Sequence, residues 1–272
     1  MVVVKVYVIN LPKDLIRREF QETQLNRLGL DYEVVDAISI NDIEPSIYKK
    51  HENDWQRPLR NVEVACYYSH QSLWKKIIET NEPALILEDD ALLSKCVPDI
   101  LNYLSTLENV DYVNLEVRGR KKLVANQGIK IPLCQSQIHR LYLDRTGAAG
   151  YVLYPSGAKK LLELESNRGI GLADAQITAC YELIGYQVEP APIIQLDQCE
   201  KYNISSPIEV KSNISILEKP DMNIEKKVFF KIKRIVAQIK QAMQQIKYVF
   251  IATRRDIRIE HKDFEVDSHG HI

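Results

Sequence analysis

The sequence predicts an α/β fold with parallel strands, and three observations predict it. The first is the opening alternation of strand, helix and strand. Val2 to Asn10 is rich in β-branched residues and stops at Leu11-Pro12, which is the pattern of a buried strand. Lys13 to Leu28 sets Leu15, Ile16, Phe20, Leu25 and Leu28 among charges ahead of Gly29, a helix with a glycine stop. Tyr32 to Ala37 supplies a second short strand, and two strands joined through a helix pair in parallel. The second observation is the run Leu85-Ile86-Leu87-Glu88-Asp89-Asp90, a buried strand that ends in three acids. In an open α/β sheet, ligands gather outside the carboxyl ends of the strands. The third is composition. With 272 residues, 45% of them hydrophobic and 27% charged, the chain is long enough to bury a substantial core.

The later elements follow the same logic. Residues 38–60 are polar and carry Pro45 and Pro58, so they read as irregular. Asn61 to Thr80 is a helix whose apolar face holds Val64, Tyr67, Tyr68, Leu73, Trp74, Ile77 and Ile78. Pro83 introduces the strand from Ala84 to Leu87, Pro98 to Leu107 is a helix, and Asp111 to Glu116 is a strand. Residues 118–140 are basic and loop-like. Gly147 to Tyr154 is a strand, and Pro155 to Leu164 is a helix with proline in its first turn. Asp174 to Ile184 is a helix capped by Gly185. Val188 to Leu196 holds Pro190 and Pro192 and reads as an edge segment.

Several classes are set aside. A net charge of −1 argues against a nucleic-acid partner. The five cysteines are widely spaced with no C-x-x-C pair, so they read as reduced thiols. The apolar start lacks a basic leader and is interrupted by Lys5, so a first strand is expected and not a signal peptide. No run approaches the ~20 apolar residues of a transmembrane helix. The expected location is cytoplasmic.

Within the acidic triplet, Glu88 and Asp90 are two residues apart and point to the same side of an extended segment. Oxygen ligands suit Mn²⁺ or Mg²⁺, which would remove the repulsion between the acids. Asp89 points the other way, toward a ribose, a sugar hydroxyl or a structural donor. The competing reading is a solvated acidic turn.

Other segments in order strengthen the first reading. They are Ile9-Asn10-Leu11, Arg17-Arg18, Tyr32-Glu33 ahead of Asp36-Ala37, and Glu63-Val64-Ala65-Cys66-Tyr67-Tyr68-Ser69-His70 with Trp74 four residues on. Leu85 to Asp90 follows, then Gly150-Tyr151-Val152-Leu153-Tyr154 and Gly157-Ala158-Lys159-Lys160-Leu161-Leu162. This ordered set resembles glycosyltransferase family 25, which includes bacterial lipooligosaccharide galactosyl- and glucosyltransferases and the collagen galactosyltransferases. The resemblance spans residues 3–196. It implies a GT-A-like, Rossmann-type nucleotide-sugar-binding domain, a UDP-sugar donor and inversion at the anomeric carbon. Two positions depart from the family pattern. Leu172-Ala173-Asp174 lacks the usual proline but keeps the acid, and Ala65 stands where glycine or isoleucine is usual.

The resemblance implies that Ser69 and His70 line the donor site, and makes Asp174 the candidate general base. The alternative for Asp174 is an N-cap of a helix starting at Ala175. Asn10, at the end of the first strand, is placed to meet a base or ribose. Arg17 approaches the pyrophosphate or uracil, or is a solvated helix charge. Trp74 reads as core. Residues 1–199 are expected to form the catalytic domain and 200–222 a connector. Residues 223–272 are expected to form a basic amphipathic helix, from Glu225 to about Arg255, with a polar tail.

In that helix Val228, Ile232, Ile235, Ile239, Ala242, Ile246 and Val249 make an apolar stripe flanked by lysines. Membrane surface, homodimer and packing on the catalytic domain are the three arrangements it allows. The first is favoured, because the lysines lack acidic partners, and it puts the protein on the inner face of the inner membrane. The expected function is transfer of galactose from UDP-galactose to a lipid-linked lipooligosaccharide or lipopolysaccharide outer-core acceptor, as a β-1,4-galactosyltransferase. UDP-glucose is the alternative donor, and a catalytically silent nucleotide-sugar-binding module is the competing class. A phosphoryl-transfer enzyme ranks last for want of a Gly-rich phosphate loop.

Overall fold

The computed structural model describes residues 4–208 and 224–265. It is a mixed α/β structure built on a nine-stranded sheet. Three parallel strands form one side of that sheet. β1 (Lys5–Asn10) lies between β2 (Tyr32–Asp36) and β3 (Ala84–Glu88), and both neighbours run parallel to it. The chain therefore leaves β1 to one side and later returns to the other. That makes the gap between the carboxyl ends of β1 and β3 a topological switch point.

Beyond β3 the order continues through β9 (Gly150–Leu153), β5 (Tyr112–Asn114), β10 (Gly185–Glu189), β8 (Gln137–Leu143), β7 (Lys122–Lys130) and β12 (Ala252–Arg255). A second sheet of three short strands sets β11 (Ile193–Gln195) between β4 (Ala91–Leu93) and β6 (Glu116–Val117).

Side chains alternate along the strands and supply a core on each face of the large sheet. Tyr7, Ile9, Ile86, Tyr112, Tyr151 and Leu153 pack on one face. They meet α3 (Asn61–Thr80), α5 (Pro155–Arg168) and α6 (Ala173–Ala179) through Tyr67, Trp74, Ile77, Leu161 and Ile177. Val6, Val8, Leu85, Leu87, Val113 and Val152 pack on the other. There they meet Leu25 of α1 (Leu15–Arg27) and Ile100, Leu101 and Leu104 of α4 (Val97–Leu104).

Several expectations need correction. The stretch 38–60 is not wholly irregular: Pro45 starts α2 (Pro45–His51), because proline is pre-set for the first helical position. Residues 118–140 are not a loop but the hairpin of β7 and β8. Polar side chains hide it, since the second half of β7 is largely exposed and its pairing is interrupted by register shifts. The strand expected from Asp111 to Glu116 splits between two sheets. α6 ends at Ala179, and Gly185 opens β10 instead of capping a helix. β10 is interior, not an edge, because Pro190 and Pro192 fall between β10 and β11 and spare both hydrogen-bond ladders.

At the C-terminus, α7 (Ile224–Tyr248) stops before Arg255, and the chain returns to the sheet as β12. Most of the expected connector, and the end of the polar tail, lie outside the described residues. α7 rests on β8 and on the segment after α2. Phe230 is buried, Lys233 donates to the carbonyls of Asn53 and Asp54 at 2.8 and 2.9 Å, and Tyr248 stacks on Tyr142. The apolar stripe faces the opposite way, with Ile232 56%, Ile239 54% and Ile246 72% exposed. Among the described residues, no helix is long and apolar enough to cross a membrane.

Leu87 is wholly enclosed and Ile129 is half-exposed. Leu87→Ala is expected to cost about 2–5 kcal/mol in urea unfolding. Ile129→Ala is expected to stay within about 0.5 kcal/mol.

Candidate functional site

The parallel pairing of β1 with β3 sets Ile9 opposite Glu88. Asn10 and the acidic triplet therefore meet at the switch point. Asp89 sits on the β1 side. Its carboxylate accepts from Arg17 Nη1 at 2.8 Å and from Asn10 Nδ2 at 2.9 Å, and Gln21 Nε2 donates to its carbonyl at 3.1 Å. Arg17 is thus not a solvated helix charge, which corrects one of its two readings. Its guanidinium is held above its ordinary pKa although burial opposes this, because Asp89, Asp90 and Asp14 surround it.

Asn10 is oriented without ambiguity. Its amide nitrogen faces Asp89 Oδ2 and the carbonyl of Asp14 (3.2 Å), two groups that only accept. Its Oδ1 is buried and has no partner among the described residues. A buried acceptor of this kind fits a ligand N–H or hydroxyl.

Glu88 and Asp90 lie on the other side. Gln195 Nε2 lies 3.2 Å from Glu88 Oε2 and 3.3 Å from Asp90 Oδ1, so one amide spans both acids. Arg118 in turn donates to Gln195 Oε1. Glu88 Oε1 lies 3.3 Å from His70 Nε2. Behind His70, Tyr151 OH is 2.9 Å from His70 Nδ1 and accepts from Trp74 Nε1 at 2.9 Å. Glu88, held below its ordinary value, only accepts, so the contact calls for a proton on His70 Nε2. Trp74 is core, as its sequence position suggests, and also the first member of this relay.

The α3 helix that carries His70 is anchored at its start, where Glu63 accepts from Arg60 N at 2.9 Å and pairs with Arg57 and Arg60. Those contacts overcome burial and hold Glu63 down at about 2.

The two acids titrate apart. Burial alone would raise Glu88, but His70, Arg118 and Arg17 bring it below its ordinary value. Asp90 is pushed up to about 7 by burial and by repulsion from Glu88 and Asp89. Arg17 offsets only part of that repulsion, and the pair fits a divalent cation with oxygen preference.

Cys66, one helical turn before His70, extends the group: its Sγ, His70 nitrogen and a Glu88 oxygen lie within 4.8 Å of one another. Cys66 lies at the surface, and a thiol suits an oxygen-preferring cation less well than the carboxylates do. The charge of Asp174 is near enough to act on the Cys66 thiol. Asp174 lies in the first turn of α6, but the N-cap is Leu172. The N-cap reading is therefore corrected, and the Asp174 carboxylate makes no hydrogen bond or ion pair among the described residues. Ser69 turns elsewhere, donating to Ala65 O at 3.0 Å and accepting from Ile38 N at 2.9 Å, and so fixes the segment after β2.

Gln195, Arg118 and Glu116 escape the sequence reading. Glu116 is wholly buried, accepts from Ala149 N (2.6 Å) and Gly150 N (3.2 Å), and is pushed up to about 8 by burial despite nearby Lys122. Gly147, at φ +92°, makes room for it, since a Cβ there would lie 2.2 Å from Glu116 Oε1. The strand-end rule that singled out Glu88 points equally to Glu116 and Arg118. Nothing local marks Gln195.

The sequence profile of glycosyltransferase family 25 (LPS biosynthesis protein) matches residues 3–177. The chain belongs to glycosyltransferase family 25. All the acids described above fall inside that match. A Haemophilus influenzae protein (strain ATCC 51907 / DSM 11121 / KW20 / Rd) named "Putative glycosyltransferase" is 27% identical over 171 residues, which are 61% of this chain. The match spans 60% of that relative, less than two thirds of its length. A solved structure, described as the "crystal structure of a glycosyltransferase involved in the glycosylation of the major capsid of PBCV-1", is similar with TM-score 0.32 and 12% identity. That likeness covers 61% of this chain and 67% of the other, and it places no residue of the family 25 site.

Between about pH 4 and pH 7 folded Asp90 keeps a proton that the unfolded chain releases, so this group's contribution to stability falls as pH rises through that window. The melting temperature of Asp90→Asn, measured relative to the parent, is therefore expected to climb from pH 5 to pH 7.5. Added Mn²⁺ is expected to raise the parent's melting temperature more at pH 7.5 than at pH 5.5, because it binds the ionised acid.

Proposed function

We propose that this family 25 chain is an inverting hexosyltransferase that moves galactose from UDP-galactose to a lipooligosaccharide or lipopolysaccharide outer-core acceptor. The observation that carries this reading is Asp90, an acid crowded against Glu88 at the switch point. Glu88 and Asp90 would hold Mn²⁺ or Mg²⁺, and the bound cation would supply positive charge against the departing diphosphate. Asn10 Oδ1, unpaired and buried, accepts from the nucleotide's base or ribose. Arg17, locked by Asp89, keeps positive charge beside the diphosphate. The relay from Trp74 through Tyr151 and His70 holds Glu88 Oε1 in place. Asp174 takes the proton from the acceptor hydroxyl as the new glycosidic bond forms on the face opposite the leaving group.

The unengaged Asp174 carboxylate favours an enzyme over a silent binding module. The choice of galactose over glucose rests on the likeness to the family's known activities, and the two differ at one hydroxyl that a few pocket residues read.

Transfer from UDP-galactose to truncated lipooligosaccharide is expected to need Mn²⁺ or Mg²⁺ and to stop with EDTA. Asp174→Asn is expected to lower kcat by roughly 10²–10⁴-fold while UDP binding persists. Metal-independent activity in Asp90→Ala would contradict the reading.

The acceptor's lipid anchor agrees with α7. Its outward stripe of Val228, Ile232, Ile235, Ile239, Met243 and Ile246 is bordered by Lys231, Lys240 and Lys247, and Glu225 is the only acid in the helix. Such a helix lies in the headgroup region of an anionic bilayer. The full chain is expected to sediment with vesicles containing phosphatidylglycerol and not with pure phosphatidylcholine. Ile239→Glu should release it, and a concentration-dependent dimer that ignores vesicles would contradict this arrangement.

A further inference from the structure

Glu88 and Asp90 share one neighbour that carries no charge. Gln195 ends β11, and its backbone is tied to the segment that holds the acids. β11 pairs Gln195 with Ala91 of β4, and Leu196 N donates to the Asp90 carbonyl at 2.9 Å. The side chain is only 3% exposed, so its root is fixed. Its end is freer. The last torsion of glutamine is broad and roughly two-fold, so a half-turn exchanges Oε1 and Nε2.

The present orientation of the amide is set from both ends. Arg118 only donates, and its Nη1 donates to Oε1. Ionised Glu88 only accepts, so Nε2 faces the acids, 3.2 Å from Glu88 Oε2 and 3.3 Å from Asp90 Oδ1. Both distances exceed the ~2.9–3.0 Å at which N–H···O bonds are commonest. One weakly held nitrogen thus stands between two carboxylates.

A divalent cation between those carboxylates could not share its place with an N–H. The half-turn that withdraws Nε2 presents Oε1, a carbonyl oxygen of the kind that Mn²⁺ and Mg²⁺ accept. The other side chains around the acids are committed elsewhere. Asp89 accepts from Arg17 and Asn10, and His70 lies between Glu88 and Tyr151. Reversal would set Nε2 against Arg118, two donors facing each other. Arg118 has a second acceptor in reach, because its Nη2 lies 3.5 Å from Asp197 Oδ2.

We propose that Gln195 is a third protein ligand of the cation held by Glu88 and Asp90. Its amide reverses as the cation enters, and Arg118 passes from Gln195 to Asp197. The inference rests on the reading of Glu88 and Asp90 as the cation's acids and adds a neutral ligand from β11.

The test uses the full chain without donor, with free Mn²⁺ counted by electron paramagnetic resonance. Gln195→Leu, with folding checked by thermal melting, is expected to weaken Mn²⁺ binding by roughly tenfold or more. If the amide only braces the acids, its loss removes a competitor for their oxygens. Unchanged or tighter Mn²⁺ binding in Gln195→Leu would therefore overturn the proposal. A second measurement is independent of that variant. In the parent labelled with ¹³C at the glutamine side-chain carbonyl, electron–nuclear double resonance is expected to show a carbon coupled to bound Mn²⁺. The coupling should vanish in Gln195→Glu, which keeps an oxygen at that place but not the label. Bound Mn²⁺ without such a coupling in the parent, or the same coupling in Gln195→Glu, overturns the glutamine ligand and leaves the two acids as the cation's site. A parent that binds no Mn²⁺ overturns the acids' role and the glutamine ligand together.

Discussion

Three consecutive carboxylates end one buried strand, and each must find a separate answer to the same repulsion. Asp89 is neutralised from β1 and α1 by Asn10 and Arg17. Glu88 is held from α3 and β11 by His70 and Gln195. Asp90 shares Gln195 but makes no ion pair among the described residues, and it is pushed up to about 7. The order of β2, β1 and β3 makes this possible, because it opens a crevice where elements far apart in sequence deliver their polar ends to one point. Desolvation strengthens every contact there and makes the unbalanced acid costly, which is the condition a divalent ligand relieves.

The support behind the acids is as specific as the acids. Trp74, Tyr151 and His70 form a buried chain that ends on Glu88. Glu116, against Gly147 and the amides of Ala149 and Gly150, fixes the backbone whose carbonyl holds Glu88 N. A site on strand ends backed by packed helices is more rigid than one on free loops.

Much of this was legible from the sequence. Apolar runs bounded by Pro and Gly mark β1, β3, α1 and α3, and α3 spans Asn61–Thr80 as its periodicity indicates. The acids announce themselves because charge after a buried strand is expensive unless used. Hidden features share one physical character: they depend on partners remote in sequence. The β7–β8 hairpin is polar because one face meets solvent and its pairing is irregular. Gln195 carries no charge and sits between prolines and a short turn, yet β11 delivers it to two acids. Asp174 resembled a helix cap, and only the fold shows that Leu172 takes that position and leaves the carboxylate unengaged. The C-terminal segment combines both cases. Its amphipathic stripe is plain in the sequence, whereas the return of β12 to the sheet is visible only in three dimensions.

The central claim is that Glu88 and Asp90, not the acidic triplet as a whole, hold a divalent cation beside the nucleotide. Titration calorimetry of UDP in the presence of Mn²⁺ tests it most directly, with the parent, Glu88→Gln/Asp90→Asn, and Asp89→Asn compared after each is shown to be folded. The parent is expected to bind UDP more tightly with Mn²⁺ than without it, and the double variant to lose that dependence. Asp89→Asn, which leaves both metal-side acids in place, should retain it. Mn²⁺-dependent UDP binding of parental strength in the double variant would contradict the account.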